Sequence, residues 1–192
     1  MDDKSLQQQI LETATELFRT KGLKFTMQDV AAEMHVAKKT IYKLYASKEE
    51  LLLDLVKNGF ERIQKTKKDV LDSDLPLQEK IGAVLIAMPE DYRTLDFRRL
   101  QGIEEKYPSV WRAIGAELDS EWEPIFEVFR QGIDDGLLNP VSLPVLKQIV
   151  TSSIDSFMYT DMLSDSGISY QKALEYMVDI LMKGVLNDQT EQ

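Results

Sequence analysis

The chain has 192 residues, 43% of them apolar, and its formal net charge at pH 7 is −10. This apolar content is enough for a sizeable core and argues against a disordered chain. The absence of cysteine excludes disulfides, thiolate metal sites and cysteine nucleophiles. The acidic, polar start MDDKSLQQQ and the lack of a long apolar run predict a soluble, cytoplasmic protein with no membrane span.

The negative charge is distributed unevenly along the chain. Residues 1–48 contain eight Lys or Arg against six Asp or Glu, whereas the other 144 residues contain 15 against 27. Lys38, Lys39, Lys43 and Lys48 fall within eleven positions that hold no carboxylate. An acidic body with one basic segment repels a polyanion everywhere except at that segment, so the charge pattern is compatible with nucleic-acid binding.

Three helices are predicted first in chain order. The first ends at Gly22, and its apolar stripe comprises Ile10, Ala14, Leu17 and Phe18. The hydroxyl of Thr26, with Asp29 three residues later, is typical of the cap that opens a second helix. The third helix is predicted over residues 37–44.

Longer helices follow, and no segment alternates convincingly at a period of two. Ser47 and Glu50 form a predicted capping box for a helix that extends to about Leu71, and residues 72–76 form a break. Further helices are predicted over residues 77–88, 94–106, 108–115, 119–135, 143–163 and 169–186. The predicted fold class is all-α, with a small amino-terminal three-helix bundle followed by a larger helical domain.

Residues 26–45, TMQDVAAEMHVAKKTIYKLY, carry the most informative pattern. Two short amphipathic helices are separated by a turn at residues 34–36, which is the layout of a helix-turn-helix. The inward residues are expected to be Val30, Ala31, Val36 and Ile41. The second helix then presents donors suited to phosphates and base edges, namely Lys38, Lys39, Thr40, Tyr42 and Lys43. The alternative is a lysine-rich solvated face on an ordinary small helix.

The order and spacing of residues over 7–56 extend this pattern. The matching residues are Leu17-Phe18, Gly22, Thr26, Asp29-Val30-Ala31, Val36, Thr40-Ile41-Tyr42, Tyr45, Ser47-Lys48-Glu49 and Leu51. This arrangement resembles the DNA-binding region of the tetracycline-repressor (TetR) family. The resemblance implies a homodimer that binds a pseudo-palindromic operator in double-stranded DNA. It implies a helix-turn-helix DNA-binding domain over residues 1–48 and an effector-binding and dimerisation domain over residues 49–192.

The resemblance also implies roles for individual residues. Lys39 is the expected base contact, to guanine, and Tyr42 and Lys48 are expected to contact phosphates. Thr26 is expected to cap a helix whose amino terminus faces a phosphate, and Tyr45 to pack in the interior. The full set of implied DNA-binding positions is Thr26, Gln28, Ala37, Lys38, Lys39, Thr40, Tyr42, Lys43 and Lys48.

Two residues depart from the family pattern. His35 occupies a turn position where the family usually has glycine, and histidine tolerates a positive φ better than most residues. It is the single histidine of the chain, and a turn residue is the preferred interpretation over a metal ligand. Ala37 stands where the family often has a serine or threonine cap, so one capping or phosphate contact is expected to be missing.

The carboxy-terminal half contains the candidates for a ligand pocket. Adaptable methionines and flat aromatic rings suit a hydrophobic ligand, although any helical domain needs a core of the same residues. The predicted ligand-binding residues are Met88, Tyr92, Phe97, Trp111, Trp122, Phe126, Ser153, Phe157 and Met158. The effector itself is not identified by the sequence.

The last two predicted helices carry more apolar surface than a body of this size can easily hide. Their apolar residues are Leu146, Ile149, Val150, Ile154, Phe157, Met158, Leu174, Met177, Val178, Leu181, Met182 and Val185. Such a surface is normally an interface, and a two-fold homodimer through these helices is the commonest solution. The alternative is that these residues form only the intramolecular core.

The leading hypothesis for function is a repressor released from its operator by a small hydrophobic ligand. The alternatives are an activator, a DNA-binding regulator controlled by a protein partner, and a small-molecule binding module that does not bind DNA. An enzyme is not expected, because the chain has no cysteine, no glycine-rich phosphate loop and no GxSxG motif. No cofactor and no metal is predicted, since clusters of His and Cys cannot form.

Overall fold

The computed structural model describes residues 3–159 and 162–187. Within these residues the chain forms eleven α-helices and three short 3-10 turns, and the all-α prediction is confirmed. The helices are α1 Asp3–Lys21, α2 Met27–Glu33, α3 Lys38–Tyr42, α4 Lys48–Leu71, α5 Leu77–Leu85, α6 Ile103–Lys106, α7 Pro108–Asp119, α8 Glu123–Asp134, α9 Leu143–Tyr159, α10 Met162–Asp165 and α11 Tyr170–Val185. The 3-10 turns are Gly22–Lys24, Glu90–Tyr92 and Phe97–Leu100.

The chain divides into two compact units. The amino-terminal unit comprises Met1–Phe60 and Asp96–Glu117, and the carboxy-terminal unit comprises Glu61–Leu95 and Leu118–Gln192. The predicted division after residue 48 therefore differs from the observed one in two places. Residues 49–60, in the first half of α4, belong to the amino-terminal unit, and residues 96–117 join it through contacts described below.

In the amino-terminal unit, α2 packs against both α1 and α3. The core residues Ile10, Val30, Ile41 and Leu51 come from four different helices, and each is fully buried. Burial of one aliphatic side chain contributes about 1.5–3 kcal/mol. Ile41 is the buried residue of α3, and its burial anchors this helix beside α2.

In the carboxy-terminal unit, α5 packs against α8 and α11, and α11 also packs against α9. Gly132 on α8 permits a close approach, because a β-carbon there would lie 2.8 Å from Cδ1 of Ile81 and 3.0 Å from Cδ1 of Leu138. Ile81, Phe129 and Leu138 are all buried at this contact. The small residue thus sets the spacing between α5 and α8.

The predicted helix over residues 94–106 is wrong. The chain forms a 3-10 turn at Phe97–Leu100 and then the short α6, because Gly102 takes a left-handed conformation with φ +79°. The predicted helix over 119–135 begins later, at Glu123, because Glu121 has φ +54°. The helix predicted over 77–88 ends at Leu85, ahead of Pro89.

The other predicted helices agree more closely with the structure. The helix over 108–115 extends to Asp119. The helix over 143–163 is observed as Leu143–Tyr159, residues 160 and 161 of that prediction lie outside the described residues, and α10 follows. The final helix is confirmed as Tyr170–Val185, with the Ser169 hydroxyl accepting from the Lys172 amide.

Among the helices of the described ranges, none combines the length and the apolar character needed to cross a bilayer.

Candidate nucleic-acid interface

The first helix of the predicted motif, α2, begins with a complete capping box. The hydroxyl oxygen of Thr26 accepts from the Asp29 amide at 3.1 Å, and Asp29 Oδ2 accepts from the Thr26 amide at 2.7 Å. Lys21 Nζ donates to Asp29 Oδ1 at 2.7 Å. The hydrogen bonds from Lys21 and Thr26 lower the pKa of Asp29 to about 2. The cap fixes where α2 starts and leaves Thr26 and Gln28 exposed.

Asp29→Asn is expected to lower the free energy of unfolding by about 1 kcal/mol at pH 7, the usual contribution of such a cap. The folded pKa of about 2 lies below the model-compound value of 3.8. The contribution of the charge is therefore present above pH 3.8 and lost as the pH falls towards 2. Urea unfolding of both proteins over this range measures the difference. Asp69→Asn, at an exposed position of α4, is the matched control, and a difference independent of pH would contradict the assignment.

The turn between α2 and α3 is a Schellman motif centred on His35. His35 has φ +54°, as expected for a position where glycine is usual. Its amide donates to Ala32 O at 3.1 Å, and the Val36 amide donates to Ala31 O at 3.0 Å. These two bonds satisfy carbonyls left free at the end of α2 and turn the chain sharply into α3.

The second helix of the motif, α3, is short and mostly exposed. Ala37 precedes it without a side-chain capping bond, since a methyl group cannot accept one. Ile41 is its one buried residue, so a single side chain anchors the helix to the core. The other side faces outward, with Lys38, Lys39 and Lys43 exposed and Tyr42 41% exposed.

This outward side of α3 is a basic surface with one aromatic ring. Lys38 Nζ lies 5.3 Å from the centroid of the Tyr42 ring. Thr40 is half-buried, and Ala37 is exposed at the start of the helix. Lysine ammonium groups, a phenol and a hydroxyl are the donors that contact phosphates and base edges.

Lys48 is placed differently from the other eight predicted DNA-binding residues. It is half-buried, and its Nζ donates to Leu23 O and Phe25 O, each at 2.6 Å. The ammonium lies 4.3 Å from the Phe25 ring centroid and 5.6 Å from that of Tyr107. Desolvation, followed by repulsion from Lys106, lowers the pKa of Lys48. The side chain ties the start of α4 to residues 23–25, and a phosphate contact would require it to leave both carbonyls.

Lys48→Met is expected to lower the free energy of unfolding by about 2 kcal/mol, because hydrogen bonds to charged groups are lost. The slope of log affinity against log salt for DNA is expected to stay unchanged. Loss of a phosphate contact would instead reduce that slope by about one. Unfolding and DNA titrations over a salt series measure both quantities. Lys68→Met, at an exposed position of the same helix, removes the same charge without either effect.

A segment from the middle of the chain, residues 96–117, supports the same region. Arg99 Nη1 donates to Thr20 O at 2.8 Å, at the end of α1. Gly22, with φ +57°, leaves room for it, because a β-carbon there would lie 2.9 Å from Cβ of Arg99. The Ser109 hydroxyl donates to Glu49 at the start of α4. Nothing in the local sequence marks this segment as a partner of the helix-turn-helix.

Tyr45 packs in the interior, as the resemblance implied. It is 5% exposed, and its hydroxyl donates to Asp54 Oδ2, which also accepts from Gln7 Nε2 at 2.7 Å. Burial and the hydrogen bond to Asp54 raise the pKa of Tyr45. This contact joins α1, the end of the motif and α4.

The nine predicted ligand-binding residues do not belong to one compact unit. Phe97 and Trp111 lie in the amino-terminal unit, and their assignment to a ligand pocket stays a prediction. The other seven lie in the carboxy-terminal unit. Met88, Tyr92, Trp122 and Met158 are buried there, whereas Phe126, Ser153 and Phe157 are half-buried.

Several polar groups of these candidates have partners within the unit. The Ser153 hydroxyl donates to Ile149 O at 2.7 Å, and Trp122 Nε1 donates to Leu118 O at 3.0 Å. The rings of Trp122 and Phe126 lie 5.9 Å apart. The guanidinium of Arg62 stacks 4.6 Å from the Tyr92 ring. Aromatic faces, more than free polar atoms, are therefore what these residues offer to a ligand.

A helix-turn-helix whose second helix presents exposed lysines and a tyrosine defines the chain as a DNA-binding transcriptional regulator. Residues 10–55 match the family described as bacterial regulatory proteins, tetR family. Over these residues the chain has the DNA-binding domain of the TetR family of transcriptional regulators.

Similarity to known proteins extends over nearly the whole chain. YvaF, an uncharacterized HTH-type transcriptional regulator of Bacillus subtilis (strain 168), is 22% identical over 185 residues, which cover 96% of this chain and 97% of the relative. PfmR, a TetR family transcriptional regulator from Thermus thermophilus, is 21% identical with a TM-score of 0.63, covering 93% of this chain and 96% of that one. A TetR transcription regulator from Haloarcula marismortui ATCC 43049 is 17% identical with a TM-score of 0.70, covering 96% and 100%. At these identities the structural likeness shows the fold.

Proposed function

We propose that this regulator is a repressor that binds a pseudo-palindromic operator as a homodimer and is released by a small hydrophobic ligand. The observation that carries the proposal is an exposed apolar strip on α9 and α11. Val145 and Ile149 of α9 are 56% and 46% exposed, and Tyr176 and Ile180 of α11 are 50% and 70% exposed.

The geometry of this apolar strip favours a second copy of the chain as its partner. Each helix contributes two residues spaced by four, which lie on the same helix face, and α9 packs beside α11. Clustered large apolar residues at a surface mark an interface, and two-fold association is its commonest form. Six of the twelve residues predicted for this role are instead buried within the unit, namely Leu146, Val150, Met158, Leu174, Met177 and Val185. Ile149 is the predicted residue that belongs to the apolar strip.

On the DNA, we assign the base contact to Lys39 and the phosphate contact to Tyr42. Thr26, Gln28, Ala37, Lys38, Thr40 and Lys43 form the surrounding surface. Two copies of α3 in a dimer would read half-sites about one helical turn, roughly 34–36 Å, apart. Because each half-site alone binds weakly, the separation of the two α3 helices would control affinity.

The segment of residues 96–117 offers a route for the ligand response. It contacts the end of α1 through Arg99 and the start of α4 through Ser109. Both of its ends continue directly into the carboxy-terminal unit, at residues 95 and 118. A ligand that rearranges that unit would therefore displace the supports of α3 through the chain itself.

Selection from a random duplex DNA library with the purified protein tests the proposal. We expect one inverted repeat to be enriched at moderate salt. Enrichment of a single half-site, or of none, would contradict a dimeric, sequence-specific regulator. Transcription in vitro from a promoter carrying the selected site then separates the repressor from an activator, since a repressor lowers the transcript yield.

A further inference from the structure

Lys67 of α4 is a partly buried cation. In the described part of the carboxy-terminal unit, it is the one such cation whose ammonium group has no oxygen partner. We propose that Lys67 binds the anionic group of an amphiphilic ligand whose apolar part lies against Trp122. This inference depends on the proposed function in one respect: it identifies the bound amphiphile as the effector that releases the repressor. The binding site itself stands on the surroundings of Lys67.

Lys67 differs from the other partly buried basic residues of the same unit in having no oxygen partner. In the part of this unit that the structure describes, five basic side chains are partly buried. Four of them donate to oxygen atoms: Arg62 to Asp91, Lys80 to Leu71 O, Arg130 to Glu123 and Glu127, and Lys147 to Asp119. Among the described residues, Lys67 makes neither a hydrogen bond nor an ion pair.

Lys67 faces an aromatic ring. Its Nζ lies 6.0 Å from the centroid of Trp122, which is 6% exposed and stands beside Phe126. The indole N–H of Trp122 already donates to Leu118 O, so the ring offers an apolar face. Glu121 is close enough to favour the charged lysine, but desolvation outweighs it and lowers the pKa of Lys67.

A partly desolvated ammonium without a hydrogen-bonded counter-ion raises the free energy of the ligand-free protein. An anion would supply the missing charge, and charge-assisted hydrogen bonds are among the stronger polar contacts. The adjacent aromatic rings would contact an apolar chain at the same time. The ligand class is therefore an amphiphilic anion with a carboxylate or phosphate head, and a neutral or cationic amphiphile is disfavoured.

The test uses the full chain with Trp111→Phe, which leaves Trp122 as the single tryptophan. Its fluorescence is titrated with dodecanoate, dodecyl phosphate, dodecanol and dodecyltrimethylammonium, each below its micelle concentration. We expect the better anion to bind about tenfold more tightly than dodecanol or the cation. The two anionic arms separate a carboxylate from a phosphate ligand. Equal affinity for dodecanol, or no binding of either anion, would overturn the inference.

Variants of α4 separate the charge of Lys67 from its packing. Lys67→Met is expected to abolish the preference for the anion, Lys67→Arg to keep it, and Lys68→Met to leave it unchanged as the exposed control. Without ligand, Lys67→Met is expected to raise the urea midpoint, because an unpaired charge is removed. A lower midpoint than that of Lys68→Met would overturn the proposal, since Lys67 would then use its charge within the fold.

Operator binding is measured on the same proteins without a probe, which keeps the two proposals distinguishable. Anion binding through Lys67 by a protein that selects no operator would support the binding site and contradict the repressor. Operator binding by a protein that does not prefer anions would support the repressor and contradict the binding site.

Discussion

Replacing Lys39 and Tyr42 together with alanine is expected to reduce operator affinity by about a hundredfold or more. One good base contact contributes about 1–3 kcal/mol, and a dimer loses two such contacts along with two phosphate contacts. Both side chains lie on the exposed side of α3, whereas Ile41 holds the helix in the core. The unfolding midpoint and the oligomeric state are therefore expected to stay unchanged. Fluorescence anisotropy with the selected operator measures the affinity.

The single variants assign the two roles. Lys39→Ala is expected to relax sequence preference at one base pair of each half-site. Tyr42→Phe is expected to weaken binding to all sequences by a similar factor, because phosphate contacts carry no direct sequence information. Lys68→Ala removes one positive charge at an exposed position outside the motif, and its effect gives the contribution of net charge alone. Unchanged affinity in the double variant would mean that the helix-turn-helix has only a structural role.

The motif was predictable because its determinants are local. The capping box of Thr26 and Asp29, the left-handed turn at His35 and the missing cap at Ala37 each depend on residues within four positions. Local hydrogen bonding and allowed backbone conformations decide such features. A single sequence is therefore sufficient to identify these local features.

The role of Lys48 was not predictable, because its partners are distant in sequence. The carbonyls that it binds lie 23 and 25 residues away, and Tyr107 belongs to a segment that the sequence placed in the other domain. A lysine at the start of a helix is usually solvated. Only the fold shows that this ammonium is enclosed between two aromatic rings and two carbonyls.

The predicted helix boundaries in the middle of the chain are wrong for a physical reason. Residues 94–106 contain apolar side chains at helical spacing, but Gly102 with φ +79° divides the segment into a 3-10 turn and a short helix. The contact of Arg99 with the end of α1 holds the first part in place. Tertiary contacts thus override local helix preference there.

Ile180→Glu is expected to convert the proposed dimer to a monomer and to lower operator affinity by about a hundredfold or more, because the two half-sites lose their linkage. Ile180 is 70% exposed, and a carboxylate there remains hydrated in the monomer. In the dimer the same charge would be desolvated against its symmetry mate, at a cost of several kcal/mol. Sedimentation equilibrium measures the mass, and anisotropy measures the affinity.

Leu75→Glu is the matched control for this change. Leu75 is also a large exposed apolar residue, 40% exposed, but it lies between α4 and α5 and not on the apolar strip. The same carboxylate there is expected to leave both the mass and the operator affinity unchanged. A dimer that survives Ile180→Glu would show that α11 is not at the interface. A monomer that still binds the full inverted repeat with unchanged affinity would show that the two half-sites are read independently.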